Sequence, residues 1–121
     1  MPSFERAVFV ITSPVSALQF ALEGLTSQQR AIANNIANVN TPGFSATNVS
    51  FQRSLASALA NGGTAAASLV PSTNPASLDG NNVSMGNQLV RLQTNAMSYQ
   101  AVSGQLTTQF QILSGSMGGQ F

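Results

Sequence analysis

Cysteine, histidine and lysine are all absent from this 121-residue chain. Without them there is no disulfide framework, no thiolate nucleophile, no imidazole base, no Schiff-base amine and no ordinary zinc cage. The carboxylates number three, Glu5, Glu23 and Asp79, spread too far apart in sequence to suggest an acid/base pair or a cage for a hard cation. No glycine-rich phosphate loop follows a strand-like segment, since the "NGG" at Asn61–Gly63 sits in a low-complexity stretch. The composition therefore points away from an enzyme and implies neither a metal nor a cofactor.

Charge of either sign is scarce. Glu5, Arg6, Glu23, Arg30, Arg53, Asp79 and Arg91 are the full set, 6% of residues, and they sum to +1. A typical globular domain carries roughly a quarter. Four isolated arginines do not make the converging cationic face that a nucleic acid requires. A near-neutral surface also promotes association. The polar positions hold Gln, Asn, Ser and Thr instead, which bond a neighbour without the desolvation penalty of an ion. Such a surface suits a subunit packed among other subunits. Long apolar runs are missing too. The short run Ala7–Ile11 behind Glu5 and Arg6 lacks the form of a cleaved secretory signal, and no run approaches the roughly 18 residues of a membrane span.

Two apolar stripes stand out. From Val15 the sequence places Leu18, Leu22, Leu25, Ile32, Ile36 and Val39 three and four residues apart, with Gln29 in the one polar slot. This is the repeat of a helix packed along a seam. Ser13 followed by Pro14 makes a start, as a cap and a first-turn proline. The register extends back through Ile11, Val8 and Phe4, so a short extra helix is expected before Pro14. The second stripe runs Met85, Leu89, Leu92, Ala96, Tyr99, Ser103, Leu106, Phe110, Leu113 and Met117, with Ser84 as its cap. At 1.5 Å per residue these helices are roughly 40 and 45 Å long. The segmentation expected is a flexible or short helical start (1–13), a first helix (14–40), an irregular linker (41–83) and a second helix (84–121).

The fold expected is thus all-α. Two long terminal helices pair as an antiparallel, coiled-coil-like hairpin joined by an irregular middle with little β. "FSATNVSF", Phe44–Phe51, can form a short extended piece, whereas Asn61–Asn82 shows no sustained period. Two helices burying one seam each make a thin core, and thin cores need staples or oligomerisation. The seam expected within the subunit sets Leu18, Leu22, Leu25, Ile32 and Ile36 against Leu89, Leu92, Tyr99, Leu106 and Phe110, with Val39 and Leu113 continuing the packing surface. Gly24 and Gly104 would admit neighbouring helices closely, or Gly104 would break its helix.

Where the first helix ends stands "NNIANVNTPGF", Asn34–Phe44. Asparagine is a poor helix-interior residue. Asn34, Asn35, Asn38 and Asn40 therefore read as partners for the unpaired C-terminal carbonyls or as handles for another chain. A left-handed Asn40 would end the helix, and Thr41-Pro42-Gly43-Phe44 would follow as a type II turn with Gly43 at the positive-φ position and Phe44 as an apolar anchor. Asn35, Asn38, Asn40 and Phe44 are expected to contact neighbours.

This eleven-residue stretch resembles the N-terminal signature of the axial proteins of the bacterial flagellum, the rod, hook and hook-associated subunits. The short length, and "DGNNV" at Asp79–Val83 just ahead of the last helix, resemble most the proximal rod members, since larger relatives insert a β-rich domain between their terminal helices. The resemblance implies a structural subunit of the rod, the drive shaft running from the inner-membrane ring across the periplasm. Its partners would be copies of itself, other axial subunits, the ring adaptor and the export gate, through which it would pass unfolded by type III export without a cleaved signal. A helical-hairpin adaptor, an export chaperone and a virulence needle-type subunit are the alternatives.

Overall fold

The computed structural model describes residues 8–11 and 13–117. Two long helices dominate it: α1, Pro14–Ala37, and α3, Met85–Met117. The shorter α2, Gln52–Asn61, and four short strands, β1 Val8–Val10, β2 Thr47–Ser50, β3 Thr64–Ala66 and β4 Ser68–Pro71, complete the described elements.

Helix α1 starts as the sequence indicates. The Ser13 hydroxyl accepts from the Ser16 amide at 3.1 Å, the Ser16 hydroxyl accepts from the Ser13 amide at 3.1 Å, and Pro14 needs no donor in the first turn. Ser84 likewise precedes α3, its hydroxyl accepting from the Asn87 amide at 3.4 Å. Helix α3 runs unbroken through Gly104, and a Cβ there would meet nothing.

The two long helices pair antiparallel. Asn35 near the end of α1 meets Gln88 near the start of α3, while Gln28 and Leu25 meet Asn95. The core beside this pair is small: Phe20, Ala21 and Leu25 of α1 pack with Phe51, Ala58 of α2 and Ala65 of β3. The Phe20 and Phe51 rings meet edge to face, centroids 5.8 Å apart. A Cβ on Gly24 would lie 2.5 Å from the Phe51 ring, so glycine at this position is what lets Phe51 seat against α1.

Four expectations are corrected. The fold is not all-α, because β1 pairs antiparallel with β3 and β2 with β4. The stretch expected to be an irregular linker, 41–83, therefore holds β2, α2, β3 and β4. Its cause is Phe51: once that ring is buried, Leu55 and Ala58 at helical spacing give α2 an inward face, and the chain returns as strands. The apolar run before Pro14 is a strand over Val8–Val10, its β-branched residues pairing with Thr64–Ala66, and not a helix. The remainder of that expected helix, Phe4 included, lies outside the described residues. Finally, α1 ends at Ala37 with Asn38 as its C-cap, and no described residue other than glycine has a positive φ, so Asn40 does not adopt the left-handed conformation.

Candidate assembly surface

The asparagine-rich motif is an internal fastening. Asn35 is fully buried. Its Nδ2 donates to the Thr47 carbonyl at 2.8 Å and to Gln88 Oε1 at 3.2 Å, and its Oδ1 accepts from the Thr47 amide at 3.2 Å. One side chain thus joins α1 to β2 and to α3. Gln28, two turns earlier, makes the same kind of link. Its Nε2 donates to the Val49 carbonyl at 2.9 Å and its Oε1 accepts from Asn95 at 3.3 Å. Two amides of α1 thereby bond the β2 edge that would otherwise be left unpaired.

Asn38 closes the helix, its Nδ2 donating to the Asn34 carbonyl at 2.8 Å while its Oδ1 accepts from the Thr41 hydroxyl at 3.0 Å. The turn that follows is as the sequence indicates. Gly43 has φ 75°, a value open to glycine at no steric cost, and the Phe44 amide donates back to the Thr41 carbonyl at 3.3 Å.

This turn docks on the second motif. The Gly43 amide donates to the Asp79 carbonyl at 2.8 Å and the Asn82 amide to the Phe44 carbonyl at 3.2 Å. The buried Asn81 side chain donates to the Asn38 and Thr41 carbonyls at 2.8 and 2.7 Å and accepts from the Val83 amide at 2.8 Å. Asn82 accepts from the Ala46 amide at 2.6 Å. "NNIANVNTPGF" and "DGNNV" are therefore two halves of one hydrogen-bonded clamp. The Asp79 carboxyl is held below its ordinary value of 3.8, first by the Ser77 hydroxyl that donates to it and then by the Asn81 amide.

Asn35 and Asn38 thus spend their amides on bonds inside the chain. Asn34, Asn40, Thr41 and Pro42 are exposed and Phe44 is half-buried.

The seam also differs from the expected one. On α1, Leu25 and Ile32 are buried, but Leu18, Leu22, Ile36 and Val39 are half-buried, and the deepest positions are Phe20, Ala21, Gly24 and Asn35. On α3 the buried positions are Gln88 and Asn95, with Leu92, Val102 and Leu106 half-buried. The expected partners Leu89, Tyr99, Phe110 and Leu113 are 42–52% exposed. Helix α3 is rotated by about one residue, so its amide stripe faces α1 and much of its greasier stripe faces outward. Val90, Met97 and Ile112 add to that outward surface. A groove of about 700 Å³ opens on the α1 side, lined by α1 residues from Phe20 to Asn34, by Val49 and Ala67–Leu69 of the strand segments, and by Tyr99.

Sequence reasoning missed Gln28, Phe51, Asn81, Gln88 and Asn95 because neither an amide nor a lone aromatic declares from sequence whether it is inside. "DGNNV" was visible as a motif but not as the partner of Asn34–Phe44. Among the described residues no group of acidic side chains could hold a metal ion, and no helix is long and apolar enough to cross a membrane.

Comparison with known proteins places the clamp in context. A family model described as flagella basal body rod protein matches residues 18–44. Over 128 aligned positions the chain is 30% identical to flagellar basal body rod protein FlgB of Escherichia coli (strain K12), covering 81% of this chain and 93% of that protein. FlgB of Shigella flexneri matches with the same identity and coverage.

Proposed function

The chain belongs to the flagellar basal-body rod protein family, and we propose that it serves at the proximal end of the rod, the axial shaft that transmits torque from the inner-membrane ring. It is a structural subunit whose role rests on packing and not on catalysis. The observation that carries this reading is the 30% identity to FlgB over nearly the whole of that protein, with the family match ending on the clamp turn at Phe44. The physical chemistry supports it. A chain with 6% charged residues and an outward apolar stripe on its longest helix has a surface made for neighbours. Copies of itself and other axial subunits would cover that stripe, and the ring adaptor would meet the lowest copies. Export as an unfolded chain through the type III gate, without a cleaved signal, suits a small core that orders on arrival.

Deleting the gene and imaging basal bodies tests the reading. The expected result is a ring without a rod and a non-motile cell, both restored by expressing this chain. Purified basal bodies that keep a complete rod in the deletion strain would refute it. So would a discrete, closed small oligomer by light scattering, the behaviour of an adaptor or chaperone.

A further inference from the structure

Helix α3 outruns its partner. The contacts Asn35 to Gln88 and Gln28 to Asn95 share one antiparallel register, in which Pro14, the first residue of α1, falls opposite Gln109. From there to Met117 the helix continues for about 12 Å with no α1 beside it. Its inward stripe does not stop at that point. Leu106, half-buried, is followed by Phe110 and Leu113 at 49% and 47% exposure, the i, i+4, i+7 spacing of a helix that lies in an apolar groove. This half-exposed stripe is thus the direct continuation of the α1–α3 interface.

The same chain carries a groove of the matching kind. Phe20, Ala31, Val49 and Leu69 give it apolar walls, and Leu69 is 62% exposed. Its charged groups are Glu23 and Arg30. The overhang carries no charge, but Gln109 and Gln111 flank Phe110, and an amide can accept from a guanidinium or donate to a carboxylate.

We infer that the overhanging end of α3, residues 106–117, docks in the α1 groove of a second copy of this chain. The inference rests on the rod-subunit reading only for where the contact is used. Groove and overhang are different surfaces, so the contact is heterologous. A heterologous contact that does not close makes an open string of copies and not a dimer. The groove residues Phe20–Asn34 centre opposite residue 96 of α3, and the overhang centres between Phe110 and Leu113. Successive copies are therefore displaced by roughly 23 Å along the helix direction. A contact of this size is weak in a single pair and is strengthened by repetition along the assembly.

The absence of cysteine makes a direct test available. Ser68→Cys places a thiol on the groove and Ser114→Cys places one beside Leu113. Under mild oxidation of the purified full chain, each single variant alone is expected to stay uncrosslinked, and the two mixed are expected to give one heterodimer. The double variant should give a ladder of dimers, trimers and higher species. Leu113→Asp, on the exposed overhang, should lower the ladder at least tenfold with unchanged far-UV circular dichroism, and Leu69→Asp should do the same from the other side. Homodimers from either single variant, an intramolecular disulfide in the double variant, or no inter-chain product at the highest soluble concentration would each overturn the inference. Repeating the oxidation in isolated basal bodies separates the two readings. A ladder from purified protein that is absent from basal bodies leaves the contact standing and refutes its use in the rod.

Discussion

Gly24→Ala sets two well-known effects against each other. Alanine in a helix interior is favoured over glycine by about 0.8–1 kcal/mol. If the α1 face at Gly24 were open, the variant would be more stable by that amount. The structure puts the new methyl 2.5 Å from two carbons of the Phe51 ring and 2.7 Å from a third. Phe51 is 2% exposed and pinned against Phe20, so it cannot swing clear, and overpacking of this kind costs about 1–3 kcal/mol. With three ring carbons inside contact distance the upper part of that range applies, leaving a net loss of about 1.5 kcal/mol. Unfolding entropy of about 2.1 cal/mol/K per residue converts this to a melting temperature lower by roughly 6 °C. The assay is thermal unfolding by circular dichroism in a stabilising osmolyte, which raises a marginal core into measurable range. Phe51→Leu supplies the control, because a smaller, flexible side chain gives way. In that background Gly24→Ala should lose at least half of its penalty, at any protein concentration, since the contact lies within one chain. A stabilising Gly24→Ala, or effects that simply add, would refute the placement of Phe51 over α1.

The buried amide network gives the second prediction. Asn35→Ala leaves the Thr47 amide and carbonyl and the Gln88 Oε1 acceptor without their partner, at a cost of about 2–4 kcal/mol in total, read as a loss of the cooperative transition and of motility. Asn81→Leu is expected to loosen the clamp while sparing the α1–α3 pairing, so amide exchange should speed up in residues 38–46 before it does in α3. For Asp79 the folded pKa lies below the ordinary 3.8, so its contribution is fully present above that value and is lost as pH falls through the lowered one. Asp79→Asn should lower stability at neutral pH, where the carboxylate's contribution is fully present, converge with the parent chain in acid and so flatten the profile below about pH 3.8, and an unaltered acid slope would contradict the Ser77 and Asn81 bonds. Ile36→Asp, half-buried at the end of α1, is expected to abolish motility by placing an unpaired charge against the packing surface, checked by swimming in soft agar.

What was legible in the sequence followed from local rules. The Ser13-Pro14 start, the Ser84 start, the Thr41–Phe44 turn and the two long helices depend on residues within a few positions of one another, and each stands where those rules put it. The strand pairs were not legible, because β1 meets β3 more than fifty residues on and nothing in Val8–Val10 names Thr64–Ala66 as its partner. Helix α2 was hidden by composition. Its inward positions, Leu55 and Ala58, carry a faint stripe that only the burial of Phe51 turns into a face. The seam of α3 was misplaced by about one residue for a related reason. A periodicity reading follows the greasiest stripe, and here Gln88 and Asn95 occupy the buried one.

That inversion has a physical reason. In a single-chain globule the greasiest face of a helix turns inward because nothing else removes it from water. Here the inward positions of α3 are amides that bond specific atoms of α1: Gln88 to Asn35, and Asn95 to Leu25 and Gln28. Directional bonds fix the register of two helices, since a slip of one turn would strand each amide, whereas a stripe of leucines tolerates slippage. Apolar contact is non-directional and scales with area, so it serves better where many surfaces must meet. The division on α3 sets amides toward its own chain and leaves Leu89, Val90 and Met97 exposed. Of the asparagines in Asn34–Asn40, Asn35 serves register by joining α1 to β2 and α3, and Asn38 closes α1.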